Sequence, residues 1–502
     1  MDVYTHGRIK SALIHFFSGK VIAAVGGVVF QILIARAMAP ADYGKYVVLF
    51  GLIHIIGMFS SFGLQYSSQR FLPESILKSS KRHVFNLVVA FILIRLCLVI
   101  IFGYLLLVFH NKIFNFIGIN IELDILEIWI PSLCAVVIYI FLSLLAEIFL
   151  LQRITKWASF LLVVLRLLSV CYAFYVTGDI DLLDLARVEL LSFSVSTVFL
   201  GVVLIRYVLS LQESGSEKKV SLRRILNMSK YAYLRELVYI FSSNASNRLI
   251  AAKYLSMYSL ASYGFAAQLS ESFQRYLPAK MLKNMFTPLL LAKFSENRST
   301  STLNAHSFLI FKTNLFVLTP ILLVVLICGP ELCGLLSDGK YVDSYLAIAL
   351  LVISFIINGH NEVLQLLTSA TELNKLLFYS AVVNGLFLFP VLILTYYYGL
   401  YGMLIGRIVG MIFGECYLAF MLIQNGVFYM FDSRGFFKIL FNAFATYIFI
   451  NWIKIDYDIF GLLVIVPSIF LSFYIISFFN KPYTSSEREA INRIIPRNLF
   501  IW

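Results

Sequence analysis

The sequence contains few charged residues, and this shortage excludes most classes of soluble protein. Of the 502 residues, 13% are charged and 60% are hydrophobic, whereas soluble domains carry about 25% charged residues. The apolar runs are continuous, about as long as the 20 residues that a transmembrane helix needs, and do not alternate in short strands. We therefore predict an all-α, polytopic membrane protein rather than a membrane β-barrel.

Cysteine and histidine patterns typical of metal sites or disulfide frameworks are also missing. The six cysteines show no Cys-x-x-Cys spacing and mostly lie within apolar runs, where cysteine behaves as a small hydrophobic residue. The seven histidines show no metal-ligand spacing. These absences predict a protein without a metal or another cofactor.

Acidic residues are fewer than basic ones, 27 against 40, and the net charge is +13. The basic residues lie in short loops beside apolar runs, a placement that suits anionic lipid headgroups and topology control rather than nucleic acid. The first apolar run lacks a small-residue cleavage site, so we expect it to stay as an anchor and not to be removed as a signal peptide.

No motif in the sequence predicts an enzyme. Residues 334–340 have the Gly-x-x-x-x-Gly-Lys spacing of a phosphate-binding loop, but Tyr341 stands where a Ser or Thr hydroxyl would bind magnesium, and no strand precedes the loop. The Asp179–Asp181 and Asp456–Asp458 pairs resemble the Asp-x-Asp pairs of glycosyltransferases. They fall in predicted outer loops that are too short to form a catalytic domain.

Fourteen apolar runs predict fourteen transmembrane helices, arranged as two pseudo-symmetric six-helix lobes plus two C-terminal helices. The longest polar stretch, Gln212–Lys230, divides the chain after six spans, as expected of parallel repeats. We assign 1–211 to the N-terminal lobe (TM1–6), 212–233 to a cytoplasmic linker, 234–424 to the C-terminal lobe (TM7–12), and 425–502 to TM13–14 and a cytoplasmic tail. The approximate spans are 15–38, 43–65, 84–109, 126–150, 157–177, 187–210, 234–252, 258–279, 306–328, 345–368, 376–398, 400–424, 436–452 and 459–480.

The distribution of basic residues predicts that the N- and C-termini are both cytoplasmic. In this orientation 26 of the 40 Lys and Arg residues lie in inside segments, six lie outside and eight lie within spans. Such a bias fits the positive-inside rule. The acidic outer loop 177–189 agrees with it.

A tight turn beside an arginine ends the first span and returns in altered form half a chain later. Between Gln31 and Gly44 one apolar run ends and the next begins, and Pro40 leaves room only for a tight turn. Leu-Ile-Ala precedes a Tyr-Gly pair there, and it does so again between Leu249 and Gly264, with a spacing that differs by four residues. The recurrence favours a two-lobed transporter.

Eight basic residues lie within predicted spans, where each costs roughly 2.5–3.5 kcal/mol to insert near the bilayer centre. A water-filled cavity or ion pairing would remove most of this cost, but the four embedded acids are too few to pair with all eight bases. The surplus predicts a cationic cavity for an anionic substrate, and arginine forks suit phosphate oxygens. The bases are Arg36, Arg95, Arg166, Arg206, Arg248, Arg275, Lys312 and Arg407, and the acids are Glu147, Glu271, Glu362 and Glu415.

Structural explanations stay open for several of these charges. Arg36, Arg206 and Lys312 lie near span ends, where a long basic side chain can snorkel to the interface. Glu271 and Arg275 are four residues apart, so they share a helix face and can form an ion pair.

Structural and functional roles also stay open for further embedded residues. Arg407 and Glu415 can be packing partners of other helices. Arg248 follows the polar run 242–247 inside predicted span seven, which we interpret as a water-exposed face of that helix, and this favours a functional role for Arg248. His360, in span ten, is a possible proton-handling residue.

An ordered set of short segments runs through the chain: Ala35–Gly44, Phe62-Gly63-Leu64, Gln69-Arg70-Phe71, Asn247-Arg248-Leu249-Ile250 and Tyr398–Gly402. This set resembles the polysaccharide transporter branch of the multidrug/oligosaccharidyl-lipid/polysaccharide exporter superfamily, to which bacterial O-antigen flippases belong. The chain departs from the branch at Asn247, where many members have Asp.

The resemblance implies a flippase that moves undecaprenyl-pyrophosphate-linked oligosaccharides from the cytoplasmic to the outer leaflet of the bacterial plasma (inner) membrane by alternating access. For phosphate or glycan contacts the predicted residues are, in order, Arg36, Arg248 and Arg275, then Arg95 and Arg166. The predicted coupling residues are Glu147 and Glu271, because a buried carboxylate can carry a proton.

The expected partners are the lipid-linked glycan, membrane lipids, a coupling ion (proton or sodium) and a polysaccharide polymerase, and no nucleic acid. Two other functions stay open. A drug exporter of the same fold would be expected to keep net acidic charge for cationic drugs. A membrane-embedded polysaccharide polymerase would need a large outer catalytic loop.

Overall fold

The computed structural model describes residues 6–211, 222–241, 243–274, 299–371, 373–453 and 459–494. Within these ranges the chain forms helices and turns and no β-strand, which confirms the all-α prediction. The helices are α1 (His6–Ala37), α2 (Pro40–Phe59), α3 (Leu64–Lys78), α4 (Lys81–Val108), α5 (His110–Ile117), α6 (Leu123–Ile148), α7 (Gln152–Thr177), α8 (Leu182–Leu209), α9 (Leu222–Ile240), α10 (Asn244–Tyr254), α11 (Met257–Gln274), α12 (Thr300–Ser337), α13 (Ser344–Ala370), α14 (Asn374–Leu386), α15 (Leu388–Gln424), α16 (Ser433–Ile453), α17 (Ile459–Asn480) and α18 (Ser485–Ile494).

Ten helical stretches of the described chain are long and apolar enough to cross a membrane, and Val21–Ala37 within α1 is a shorter apolar helix. One of the ten, Lys375–Gln424, covers predicted spans eleven and twelve. Its helix is broken at Gly399, where φ is 59° and ψ is −138°. Glycine adopts such angles without the clash that a Cβ would cause. The predicted boundary between these two spans is therefore confirmed.

The prediction of one continuous seventh span over 234–252 is wrong. Helix α9 ends at Ile240 and α10 begins at Asn244. The hydroxyl of Ser243 accepts a hydrogen bond from the backbone N–H of Ser246 at 3.3 Å, so serine caps the new helix, as its short polar side chain favours. The polar run before Arg248 thus forms a helix start and not the water-exposed face of a longer helix. Neither α9 nor α10 is among the helices that are long and apolar enough to cross a membrane.

The structure divides into two compact units, Met1–Gly264 and Phe265–Trp502. The division falls within α11, and the lobe boundaries given above stay a prediction. In the first unit α1 packs along α7, α6 packs along α8, and α2 lies against α6 and α10. Tyr43, Tyr46 and Trp129 are fully buried at the α2–α6 contact, where the rings of Tyr46 and Trp129 meet edge to face at 5.7 Å.

The turn between α2 and α3 makes a close contact with α9. Gly63 has a φ of 69°, and a Cβ at this position would lie 2.2 Å from the carbonyl oxygen of Ser229. The hydroxyls of Ser67 and Ser229 are 2.6 Å apart. Both the backbone angle and the approach of α9 therefore require glycine here.

In the second unit α12 packs along α13 and also contacts α16 and α17. One buried apolar cluster includes Phe316 of α12, Ile439 of α16 and Phe473 of α17. Another includes Phe308 of α12 and Leu418 of α15, together with residues of α13. Helix α12 contributes residues to both clusters.

Candidate functional site

Helix α2 packs against one predicted site residue, Arg248, in the interior of the first unit. The side chain of Arg248 extends from α10 and is 1% exposed. Its guanidinium carbon lies 5.2 Å from the centroid of the Phe50 ring, within cation–π range. A Cβ on Gly51 would lie 3.2 Å from the Cβ of Arg248. The glycine on α2 therefore leaves room for the arginine of α10.

The same helix meets a second predicted residue, Arg95 of α4. Its Nη2 donates to the backbone carbonyl of Gly57 at 2.8 Å, and the side chain is 8% exposed. Its Nε and Nη1 atoms are buried and find no acceptor among the described residues. Glu236 of α9 attracts its charge and accepts a hydrogen bond from Ser61 at the end of α2.

Arg95 and Arg248 contact α2 at points about 10 Å apart along the helix, since Phe50 and Gly57 are two turns apart at 1.5 Å per residue. The structure thus brings two of the five predicted binding residues to one helix. We call Arg95 and Arg248 the α2 arginine pair.

Arg166 has a described counter-ion that the sequence analysis missed. On α7 its Nε donates to Oε2 of Glu189 at 3.1 Å and its Nη2 to the same oxygen at 2.6 Å. The guanidinium also lies over the rings of Phe30 and Phe193 at 4.4 and 4.8 Å. Glu189 is 2% exposed. It is a fifth embedded acid, absent from the predicted four, and it links α7 to α8.

Lys312 does not snorkel to an interface, so that alternative is wrong. The side chain is 2% exposed, and its Nζ lies 2.6 Å from Oδ2 of Asp432 and 2.8 Å from Oε2 of Glu487. A Cβ on Gly435 would lie 2.5 Å from the ammonium nitrogen. Two carboxylates, one before α16 and one on α18, neutralise this buried lysine, and we call the three residues the Lys312 triad.

The remaining predicted residues are placed as follows. Arg36 is exposed in the last turn of α1. Glu147 is partly buried near the end of α6, and Glu271 is partly buried in α11. Arg275 lies outside the described residues, and so does its predicted ion pair with Glu271. In the part of the chain that the structure describes, no three His, Cys, Asp or Glu side chains are grouped closely enough to hold a metal ion.

The second unit contains a hydrogen-bonded chain of three titratable side chains. Nδ1 of His360 lies 2.7 Å from Oε2 of Glu415, and its Nε2 lies 2.6 Å from the hydroxyl of Tyr429. We call these residues the His360 cluster. On the same helix as Glu415, Arg407 donates to the side-chain oxygen of Asn384 at 3.3 Å. Arg407 thus contacts α14 and Glu415 contacts α13, so both side chains have partners on other helices, as the packing alternative expects.

Comparison with known proteins reveals similarity in structure but not in sequence. No family model matches the chain, and no curated protein matches it. Among solved structures, the lipid II flippase MurJ in an inward closed conformation covers 93% of this chain and 99% of its own at 16% identity, with a TM-score of 0.69. The chain has the same fold as this flippase.

Two further solved structures have this fold. An inward-facing multidrug resistance MATE transporter of the MOP superfamily is 16% identical over 82% of this chain and 98% of its own, with a TM-score of 0.61. A mutant of the MATE transporter VcmN from Vibrio cholerae is 14% identical over 84% of this chain and 96% of its own, with a TM-score of 0.56. These structural neighbours are transporters and flippases rather than enzymes, and identities this low establish the fold without the substrate.

Proposed function

We propose that the protein is a flippase of the MOP fold that moves undecaprenyl-pyrophosphate-linked oligosaccharide repeat units from the cytoplasmic to the outer leaflet of the bacterial plasma membrane. Transport by alternating access, with a proton or sodium ion as coupling ion, is part of the proposal. The observation that carries it is the α2 arginine pair. Two arginines buried in one unit favour an anionic headgroup as the substrate.

The chemistry of arginine supports a pyrophosphate ligand. A basic side chain inside a membrane protein marks a substrate pathway or an ion pair, because its insertion is costly. Arg166 and Lys312 belong to ion pairs, whereas Arg95 has two buried N–H-bearing nitrogens that meet no described acceptor. A guanidinium fork donates two parallel hydrogen bonds to phosphate oxygens. We propose that Arg95 and Arg248 bind the pyrophosphate and that Arg36, exposed at the end of α1, contacts it on entry.

The drug-exporter alternative rests on the MATE transporters that have the same fold. A site for cationic drugs would need buried acidic side chains that are not already neutralised. Two of the described acids are neutralised by bases, because Glu189 is paired with Arg166 and Asp432 with Lys312. A polymerase finds no support among the structural neighbours, although a polymerase that consumes the flipped units is the partner we propose.

The test is to delete the gene and to analyse the lipid-linked glycans that accumulate. We expect single repeat units on the cytoplasmic leaflet and loss of surface polysaccharide, restored by the wild-type gene. Repeat units that reach the outer leaflet but stay unpolymerised would contradict the proposal. Drug sensitivity with normal surface glycan would instead support an exporter.

The site assignment is tested by complementation with Arg248→Ala and Arg95→Ala, both of which we expect to lack surface glycan. The matched control is Arg187→Ala, because Arg187 is exposed and its charge lies 3.4 Å from Asp184. Normal surface glycan with Arg248→Ala would exclude Arg248 from the binding site.

A further inference from the structure

We propose that the His360 cluster, formed by His360, Glu415 and Tyr429, is a proton-binding site that couples transport to the proton gradient. The inference rests on the proposed transport function, to which it adds the coupling ion and its ligands. It places coupling in the second unit, on residues other than Glu147 and Glu271.

Three separate elements build the site, so its geometry is a tertiary feature. His360 is on α13, Glu415 is on α15, and Tyr429 is in the segment 425–432 that joins α15 to α16. Histidine lies in the middle, and each ring nitrogen is within 2.7 Å of an oxygen. A neutral imidazole has one donor and one acceptor nitrogen, so it can accept a further proton and keep a hydrogen bond to each partner.

The surroundings of the imidazole are apolar. The rings of Phe308, Phe311 and Phe431 lie 6.4, 5.5 and 5.9 Å from the His360 ring, measured between centroids. Glu415 is 7% exposed, and its second oxygen, Oε1, is buried without a described donor. A buried carboxylate with one hydrogen bond is costly in its charged form, and a proton bound at the cluster removes that cost.

The proton balance of the cluster is simple. With a neutral His360, the N–H at Nδ1 donates to Glu415, Nε2 accepts from the Tyr429 hydroxyl, and the net charge is −1. One added proton bonds either to Nε2, which then donates to the Tyr429 oxygen, or to the carboxylate of Glu415. The net charge becomes zero in both cases. The pKa of Tyr429 is raised, mainly by burial and secondly by the charge of Glu415. The tyrosine therefore keeps its own proton and does not act as the acid.

Other ionisable groups lie on the elements that pack against the site, and one of them, Cys416, also acts on Tyr429. They include His306, Lys312, Cys328, Glu331 and Cys333 on α12, Tyr345 and Glu362 on α13, Lys375 and Tyr379 on α14, Arg407, Cys416 and Tyr417 on α15, and Asp432 in the joining segment. Lys312 and Asp432 are bonded to each other. Arg407 donates to Asn384, and His306 and Lys375 are exposed.

The site is connected to the segment between two helices. The side chain of Asn304 donates to the backbone carbonyl of Met430 at 3.1 Å. Asp432, in the same segment as Met430, accepts a hydrogen bond from Lys312 of α12. When His360 becomes the donor to Tyr429 instead of the acceptor, the hydrogen bond between them is rearranged. Because Tyr429 lies in the segment 425–432, this rearrangement acts on that segment. This connection gives protonation a route to the backbone that joins α15 and α16.

Proton binding can be measured without any transported substrate. Purified full-length protein is titrated in nanodiscs, and the carboxyl C=O and carboxylate bands are recorded by infrared difference spectroscopy in H₂O and D₂O. We expect a pH-dependent band, from the carboxyl C=O if the proton binds Glu415 or from the carboxylate if it binds His360, that is lost in Glu415→Gln and displaced in His360→Gln. The control is Glu122→Gln, since Glu122 is exposed at the start of α6, and its spectrum should keep the band. A wild-type difference spectrum in Glu415→Gln would overturn the proposal.

A transport assay then tests the coupling site separately from the proposed flippase function. In proteoliposomes, translocation of the undecaprenyl-pyrophosphate-linked repeat unit is followed with and without a pH gradient. We expect the gradient to stimulate the wild type by about tenfold, within the range of common coupling energies, and to have no effect on Tyr429→Phe, which keeps the ring and its packing. Flipping that is equally stimulated in Tyr429→Phe and His360→Gln would overturn the coupling site. A carboxyl band that titrates in a protein unable to move the glycolipid would refute the flippase and leave the proton site in place.

Discussion

Buried basic side chains in this protein differ in the groups that neutralise their charge. Arg166 has a carboxylate and two aromatic rings around it, and Lys312 has two carboxylates. Arg95 has one backbone carbonyl and the more distant charge of Glu236. At the residue scale, this difference separates charges that stabilise the fold from charges available to a ligand.

The ion pair of Arg166 and Glu189 gives a test of this separation. Arg166→Met leaves a buried carboxylate without its counter-ion, and we expect it to lower the free energy of unfolding by about 3–5 kcal/mol. The double variant Arg166→Met/Glu189→Leu removes both charges and should recover most of the loss. Thermal unfolding of the purified protein, together with surface glycan in complemented cells, measures the two effects. A double variant that is stable but makes no surface glycan would indicate that Arg166 also binds substrate.

At the element scale, the contact between α1 and α7 depends on one glycine of an adjacent pair. A Cβ on Gly26 would lie 2.2 Å from Cγ1 of Val163, whereas a Cβ on Gly27 would meet nothing within 4 Å. We expect Gly26→Ala to destabilise the protein by about 1–3 kcal/mol through overpacking. Gly27→Ala should be neutral or stabilising, because alanine favours the helix over glycine by about 1 kcal/mol. Equal unfolding temperatures for the two variants would contradict the close approach of α7 to Gly26.

The Lys312 triad fixes α18 to the start of α16 and predicts a pH effect. Burial acts to raise the pKa of Asp432, but the hydrogen bonds from Lys312 and from the backbone of Gly435 outweigh it, and the pKa is lowered. Such a group stabilises the fold above its unfolded pKa, and the stabilisation is lost as the pH falls through the folded pKa.

We therefore expect Asp432→Asn to unfold at a lower temperature than the wild type at pH 7. The difference in unfolding temperature between the two proteins should disappear as the pH falls below about 4, the ordinary pKa of aspartate. At such a pH the carboxyl of the wild-type protein becomes neutral as well. Unfolding temperatures of both proteins across this range measure the effect. A gap that is constant with pH would mean that the charge of Asp432 does not contribute.

At the scale of the whole molecule, the transmembrane topology stays a prediction with a direct test. Reporter domains that are active only outside the cytoplasm can be fused after residue 211 and after residue 340. The 26-to-6 bias of basic residues predicts activity for the second fusion and none for the first. The reverse result would place the proposed direction of transport in doubt.

The sequence predicts the membrane helices well because each depends on a local apolar run of membrane length. It fails where structure depends on contacts far apart in the chain. Glu189 is 23 residues from Arg166, Tyr429 is 69 residues from His360, and Glu487 is 175 residues from Lys312. A single sequence shows the bases but not these partners. The break before α10 was missed for another reason, because serine and asparagine can either cap a helix or line a polar face of one.

The Lys312 triad also has a consequence for how the protein is made. Lys312 is synthesised 120 residues before Asp432 and 175 residues before Glu487. At about 5–20 residues per second of synthesis, the lysine enters the membrane many seconds before either counter-charge exists. During that interval the nascent α12 carries an unneutralised ammonium group. The Lys312 triad is therefore complete only after α18 has been synthesised, so the second unit acquires this contact late in its membrane assembly.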